Sequence, residues 1–285
     1  MTAPSDMARP RVASGPLRRL MAMPSFLIGA LIVTFWILCA LFGALVVPYD
    51  PFATDVMQSL APPSDAHWFG TDQLGRDILS RVIVGARDIL TVAPLATILS
   101  TILGTTLGLA MGYFGGWFDE VLSRLVDALL ALPTIVVALL ALTALGASTY
   151  TMLFVIGFSF APIIARTVRA SVLAERGLDY VAAAELRRER VAYIMFVEIL
   201  PNVLPAILVE ATVRLGYSIF TVASLSFIGF GIQPPSPDWG LSIASNYGMI
   251  GGGFWWTVLF DGLAIASLVV GVNLVADSIQ AMIND

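Results

Sequence analysis

The stretch FLIGALIVTFWILCALFGALVV, Phe26 to Val47, holds no charged residue and no proline. At about 1.5 Å per residue it covers roughly 33 Å as a helix, enough to cross the hydrocarbon core of a bilayer. Arg9, Arg11, Arg18 and Arg19 precede it, as basic residues precede a secretory signal. A signal's apolar region is shorter, however, and ends in a small-residue cleavage site that is missing here. Residues 26–47 therefore predict an uncleaved first membrane helix behind a tail, residues 1–25.

The rest of the chain has the same character. Of 285 residues, 58% are hydrophobic and 12% charged, with a mean hydropathy of +0.88. Soluble domains carry about 25% charged residues to cover their wet surface, so lipid is the implied solvent. Five further apolar stretches run at about 89–113, 121–145, 150–164, 203–230 and 254–279. Backbone groups in lipid must bond within their own segment, which makes these helices. The expectation is an all-α polytopic protein with six transmembrane helices. Gly146 to Thr149 leave room only for a tight hairpin between the third and fourth, and Gly104 and Gly108 make a small-xxx-small packing pattern.

Arginine placement sets the orientation. With both termini in the cytoplasm, the inner segments hold Arg9, Arg11, Arg18, Arg19, Arg124, Arg166, Arg169, Arg176, Arg187, Arg188 and Arg190. The outer ones hold Arg76, Arg81 and Arg87. An extracytoplasmic segment, 48–88, then precedes a core of five helices, 89–285, which contains a cytoplasmic loop at 165–201. Within 75–87, Ile78, Leu79, Val82, Ile83 and Ala86 share one helical face, predicting a separate helix lying along the outer interface. Around Ala182–Leu186 the loop favours a short charged helix, extending over 179–190.

Several functions are excluded by inventory. Cys39 and His67 are the only cysteine and histidine, so no thiolate or imidazole metal site is expected. All fifteen basic residues are arginine, and without lysine there is no P-loop. A net charge of −5 with no clustered basic face argues against nucleic acid. Glu210 and Arg214, four residues apart in the fifth apolar stretch, read as a buried ion pair or as part of a substrate path. Asp127, Asp261 and Asp277 read as interfacial, and His67 as part of a loop fold.

From Phe26 onward the chain resembles the C-type permease subunits of dipeptide, oligopeptide and nickel ABC importers. The resemblance rests on His67–Asp77 (HWFGTDQLGRD) with Ser80-Arg81 and Gly85-Ala86-Arg87, close to the family's GTDxLGRDxxSR signature. It rests also on Gly112–Asp119 (GYFGGWFD), Ser224–Pro235 (SLSFIGFGIQPP), Trp255-Trp256, Gly262–Ala264 and Asn273-Leu274. It implies a type I ABC importer permease fold and a coupling helix that docks on an ATPase subunit. Carried onto this chain, that stretch comprises Asp179, Tyr180, Ala182, Ala183, Ala184, Glu185, Arg187, Arg188, Ile199, Leu200 and Pro201. Ala182 stands where the family has glutamate and Arg188 where it has glycine; Glu185, one turn on, is the candidate substitute. Arg187 and Arg188 also satisfy the positive-inside rule with no further role. On the outer face, Trp68, Asp72, Arg76, Asp77, Pro234, Pro235 and Trp239 are expected to meet a binding protein.

The implied complex contains a B-type permease as heterodimer partner, one or two ABC ATPase subunits, an extracytoplasmic peptide-binding protein and membrane lipid. The chain carries no cofactor; ATP and magnesium belong to the ATPase partners. Di- and oligopeptides are the expected cargo, with nickel the alternative and haem-like cargo open. A secondary transporter is disfavoured because no inverted repeat with paired broken helices is visible.

Overall fold

The computed structural model describes residues 19–284, so most of the tail, with Arg9, Arg11 and Arg18, lies outside the described residues. Among those described, the chain is helical throughout, apart from its loops and one isolated bridge between Thr71 and Asp77. The first helix, α1 (Pro24–Val46), opens on a proline, whose missing N–H costs nothing in a first turn. Next come α2 (Ile78–Phe114), α3 (Gly116–Leu130), α4 (Thr134–Leu145) and α5 (Thr149–Arg176). A short α6 (Asp179–Leu186) leads through a wide turn at Ile194–Ile199 into α7 (Leu200–Phe227); α8 (Trp239–Asn246) and α9 (Trp256–Asn284) follow.

Among the described residues, five helices are long and apolar enough to cross a membrane, or six if α3 and α4 count as one broken span. The third apolar stretch is thus not the single helix its hydropathy predicts. It bends by 87° between α3 and α4. Pro133 sits at the break, donating no N–H and disfavouring helix in the residue before it. The predicted interfacial helix is also corrected. Its residues are the first turns of α2, a 37-residue helix about 55 Å long that outruns the bilayer. Ile78, Val82 and Ala86 are not free to lie in lipid headgroups. They are buried with Trp36, Ile89 and Trp239 in one apolar core. The boundary expected at residue 88 therefore falls inside a continuous helix.

The most extensive pairing, α2 against α5, is made by absence of side chain. A Cβ on Gly104 would lie 2.6 Å from the Ile164 Cβ, one on Gly108 2.6 Å from the Ala165 carbonyl, and one on Gly112 2.7 Å from the Val172 Cβ. Close backbone approach of this kind drives association in lipid, where apolar burial alone gives little. Leu31, Leu41, Leu45, Ile102, Phe158 and Phe220 stay exposed, an apolar surface suited to lipid or to another membrane subunit.

Candidate functional site

The stretch expected to meet an ATPase lies at one end of the bundle. In α6, Val181 and Ala184 are buried, packed with Val168, Val172, Ile194 and Ile199. Ala182, Ala183, Glu185 and Leu186 point away from the bundle, and Leu186 is 85% exposed. Tyr180 donates to Glu175 Oε2 (2.8 Å), tying the start of α6 to the end of α5. Burial, and then this bond to a carboxylate, hold the Tyr180 phenol above its ordinary range. Ala182 and Glu185, one turn apart, share the outward face.

The charged helix expected over 179–190 stops at Leu186. Arg188 N–H donates to the Glu185 carbonyl and Glu189 N–H to the Ala184 carbonyl, the paired bonds of a Schellman cap. That cap requires a left-handed residue, and Arg188 supplies it at φ 58°. The glycine that the resemblance places here has a physical reason. Arg188→Gly is expected to raise the stability of the chain by about 1 kcal/mol, by removing left-handed strain from a side-chain-bearing residue. A thermal midpoint in detergent unchanged or lowered by the substitution would contradict this. Arg187 reaches Glu198 (3.1 Å) and Glu189 (3.6 Å), but at 55% side-chain exposure such pairs contribute little. Ile199 is fully buried, so of the candidate coupling residues it anchors the helix and offers no contact surface; Pro201 is exposed.

At the same end, the glycine pair of the GYFGGWFD motif breaks the chain between α2 and α3. Gly115 and Gly116 adopt φ 63° and 55°. Asp119, at the start of α3, is then clamped by Arg169 of α5, whose Nε and Nη2 each meet one carboxylate oxygen.

The opposite end carries the long signature, and here the expectation is largely overturned. Asp72, Asp77 and Trp239 are 1%, 3% and 0% exposed, so they face inward and offer nothing to a binding protein. Asp72 Oδ1 accepts the backbone N–H groups of Leu74 (2.8 Å) and Arg76 (3.0 Å), while its Oδ2 takes Arg76 Nε (2.7 Å). Arg76 is thereby mostly covered. Asp77 caps α2 through Ser80 N–H (2.8 Å) and meets His67 Nδ1 (2.9 Å), so His67 is part of the loop fold. Gly75 at φ 72° has the Asp55 carbonyl 1.8 Å from where a Cβ would stand. The signature is a knot that closes the segment after α1 over the start of α2.

The segment between α7 and α8 is locked to the same knot. Arg81 donates to the Pro51 carbonyl (3.0 Å) and the Ser236 carbonyl (3.2 Å). Trp239 Nε1 donates to the Val82 carbonyl (2.9 Å), and its ring meets Trp36 edge-on at 4.8 Å. Gly85 leaves room for the Pro237 carbonyl, 2.3 Å from a built Cβ. Asp238 caps α8 at Leu241 N–H (2.8 Å), and burial pushes its carboxyl up to about 6. Asp261, expected at an interface, is instead 3% exposed beside Arg81 and Thr257. Of the outward candidates, Trp68, Pro234 and Pro235 remain exposed. A cap signal was present in the sequence, since Asp77 stands three residues before Ser80 at the head of an apolar run.

Comparison with known proteins gives consistent matches. A family model described as "Binding-protein-dependent transport system inner membrane component" matches residues 104–285, and one described as "N-terminal TM domain of oligopeptide transport permease C" matches residues 16–63. The chain is 39% identical over 254 residues to a dipeptide transport system permease protein of Alkalihalophilus pseudofirmus, spanning 89% of this chain and 83% of that one. It is 40% identical to the Escherichia coli K12 dipeptide permease protein, over 89% of this chain and 86% of the other. A putative peptide permease protein of Brucella suis is 35% identical, over 100% of this chain and 97% of its own. Among solved structures, a methionine ABC transporter (MetNI) in an inward-facing conformation superposes with a TM-score of 0.59. It covers 72% of this chain and 97% of its own, at 17% identity, which speaks to fold alone.

Proposed function

Because the chain belongs to the binding-protein-dependent transport system inner membrane components, we propose that it is the C-type half of a heterodimeric permease importing di- and oligopeptides. It is a multi-pass inner-membrane protein, the permease component of an ABC importer, and the family works with a partner permease, an ATPase and a binding protein. The relatives above are named for peptides, which supports peptide over nickel as cargo.

One observation carries the mechanism: α6 stands out from the bundle with Leu186 bare while Val181, Ala184 and Ile199 fix its base. A large apolar side chain held outward on a capped helix is built to be covered by another protein. ATP closure of the partner ATPases would move α6 as a unit, and Tyr180–Glu175 with the Ile199 core would pass that movement to α5 and α7. Nucleotide drives transport only through contacts that differ between the two states, and α6 is where such contacts would lie. The phosphoryl chemistry, with ATP and magnesium, resides in one or two ATPase subunits. On the other face, Trp68, Pro234 and Pro235 are the exposed positions for a peptide-binding protein.

The test is reconstitution in proteoliposomes with a B-type permease, ATPases and binding protein. Uptake of a tripeptide such as trialanine is expected only with ATP and all partners. Uptake by this chain alone, or of nickel in place of peptide, would overturn the proposal.

A further inference from the structure

Between α5, α7 and α9 an open cleft of about 570 Å3 enters the bundle from the end that carries α6. Its size lies within the roughly 300–1,000 Å3 of small-ligand sites. The walls mix apolar side chains, such as Val203, Ala206, Val209 and Ile283, with polar ones that lipid-embedded helices normally lack: Thr167 and Ser171 on α5, Asn202 and Glu210 on α7, Gln280 on α9, and Glu175 at the mouth. Polar and charged groups inside a membrane are expensive and face protein interiors or water-filled cavities. Glu210 is the eleventh residue of α7, about 15 Å along the helix from its start.

Two ion pairs in this chain differ in a telling way. Asp119 and Arg169 meet through two parallel bonds that consume both carboxylate oxygens. Glu210 and Arg214 touch at a single point, Oε1 to Nε at 2.8 Å, and neither atom has an aligned hydrogen-bond partner among the described residues. Thr167 Oγ1 approaches the other Glu210 oxygen only at 3.5 Å. The Arg214 guanidinium also lies over the Tyr217 ring at 4.7 Å. The Asp119–Arg169 pair leaves neither carboxylate oxygen free, whereas Glu210 keeps one oxygen with only the Thr167 hydroxyl beside it. The Glu210 pair leaves a carboxylate in a partly polar cleft with acceptor capacity to spare.

We propose that the α5–α7–α9 cleft is a station on the peptide path, where Glu210 accepts the free α-ammonium group of the passing peptide. The hydroxyl and amide side chains around it serve the peptide main chain, whose N–H and C=O groups are common to every sequence. Selection by end group and backbone would let one cleft pass many side chains. Tyr180 joins the wall at Glu175 to α6, so movement of α6 reaches the cleft directly. This inference rests on the peptide reading above.

The experiment uses the whole reconstituted complex and trialanine. Glu210→Gln is expected to assemble and to keep ATP hydrolysis by the partner subunits, while uptake falls about tenfold. The reversed pair, Glu210→Arg with Arg214→Glu, is expected not to restore uptake. Unchanged uptake in Glu210→Gln, uptake recovered by the reversed pair, or uptake and hydrolysis falling together would each overturn the inference. If Glu210→Gln fails to assemble, Ser171→Trp decides by filling the cleft: lost uptake with hydrolysis kept supports the station, and retained uptake removes it. Absence of ATP-dependent trialanine uptake in the wild-type complex would instead defeat the peptide reading itself.

Discussion

Leu186→Asp is expected to abolish ATP-coupled uptake while leaving the chain folded in the membrane. At 85% exposure, Leu186 contributes almost nothing to the isolated subunit, and surface changes of that kind usually fall within about 0.5 kcal/mol. Covered by a partner, the same side chain would contribute about 1.5–3 kcal/mol of apolar burial. Aspartate forfeits that gain and adds a carboxylate whose desolvation opposes docking. Together these weaken docking at least a hundredfold. The measurement is co-purification of the ATPase subunits from detergent, alongside uptake in vesicles. Normal co-purification with normal uptake would show that α6 is not the docking element. Arg188→Gly sharpens the reading, because it acts on the cap of the same helix and not on its outward face.

Gly108→Leu is expected to cost more than about 3 kcal/mol and to prevent assembly of the bundle, beyond the usual range for overpacking. The Cβ alone would meet the Ala165 carbonyl at 2.6 Å and the Val168 Cβ at 2.7 Å. Backbone on the far side cannot give way as a flexible side chain does, so α2 and α5 must separate along the row Gly104, Gly108 and Gly112. Gly262 is the internal control, since a Cβ there meets nothing within 4 Å. Thermal unfolding in detergent should show Gly108→Leu strongly lowered and Gly262→Ala near wild type. Equal midpoints for the two would refute the close-packing account of α2 and α5.

The apolar stretches, the hairpin at Gly146–Thr149 and the packing glycines were legible because each is a local or strictly periodic property. Gly112, quoted in the sequence only as the head of GYFGGWFD, continues the same row. The short helix α6 was legible in position but not in extent. Arg187 and Arg188 favour helix by composition, yet the chain turns left-handed at Arg188 to close the cap. The direction in which the signature residues face was not legible. Asp72 and Asp77 lie before α2 and Trp239 opens the short α8, and as polar or amphipathic residues outside the apolar stretches they predict exposure on composition alone. Their burial follows from partners distant in sequence, such as the Val82 carbonyl for Trp239.

From the order of its residues alone, this chain is committed to lipid, to helices, and to a charged segment between the fourth and fifth apolar stretches. Those outcomes follow from hydropathy and backbone hydrogen bonding, which act within a segment. Tertiary structure alone decided the 87° angle that the third stretch makes at Pro133, that the signature folds inward as a knot, and that Glu210 opens into a cleft. The reason is that a side chain's environment is set by helices that meet only in the folded bundle, and no local pattern records which ones they are.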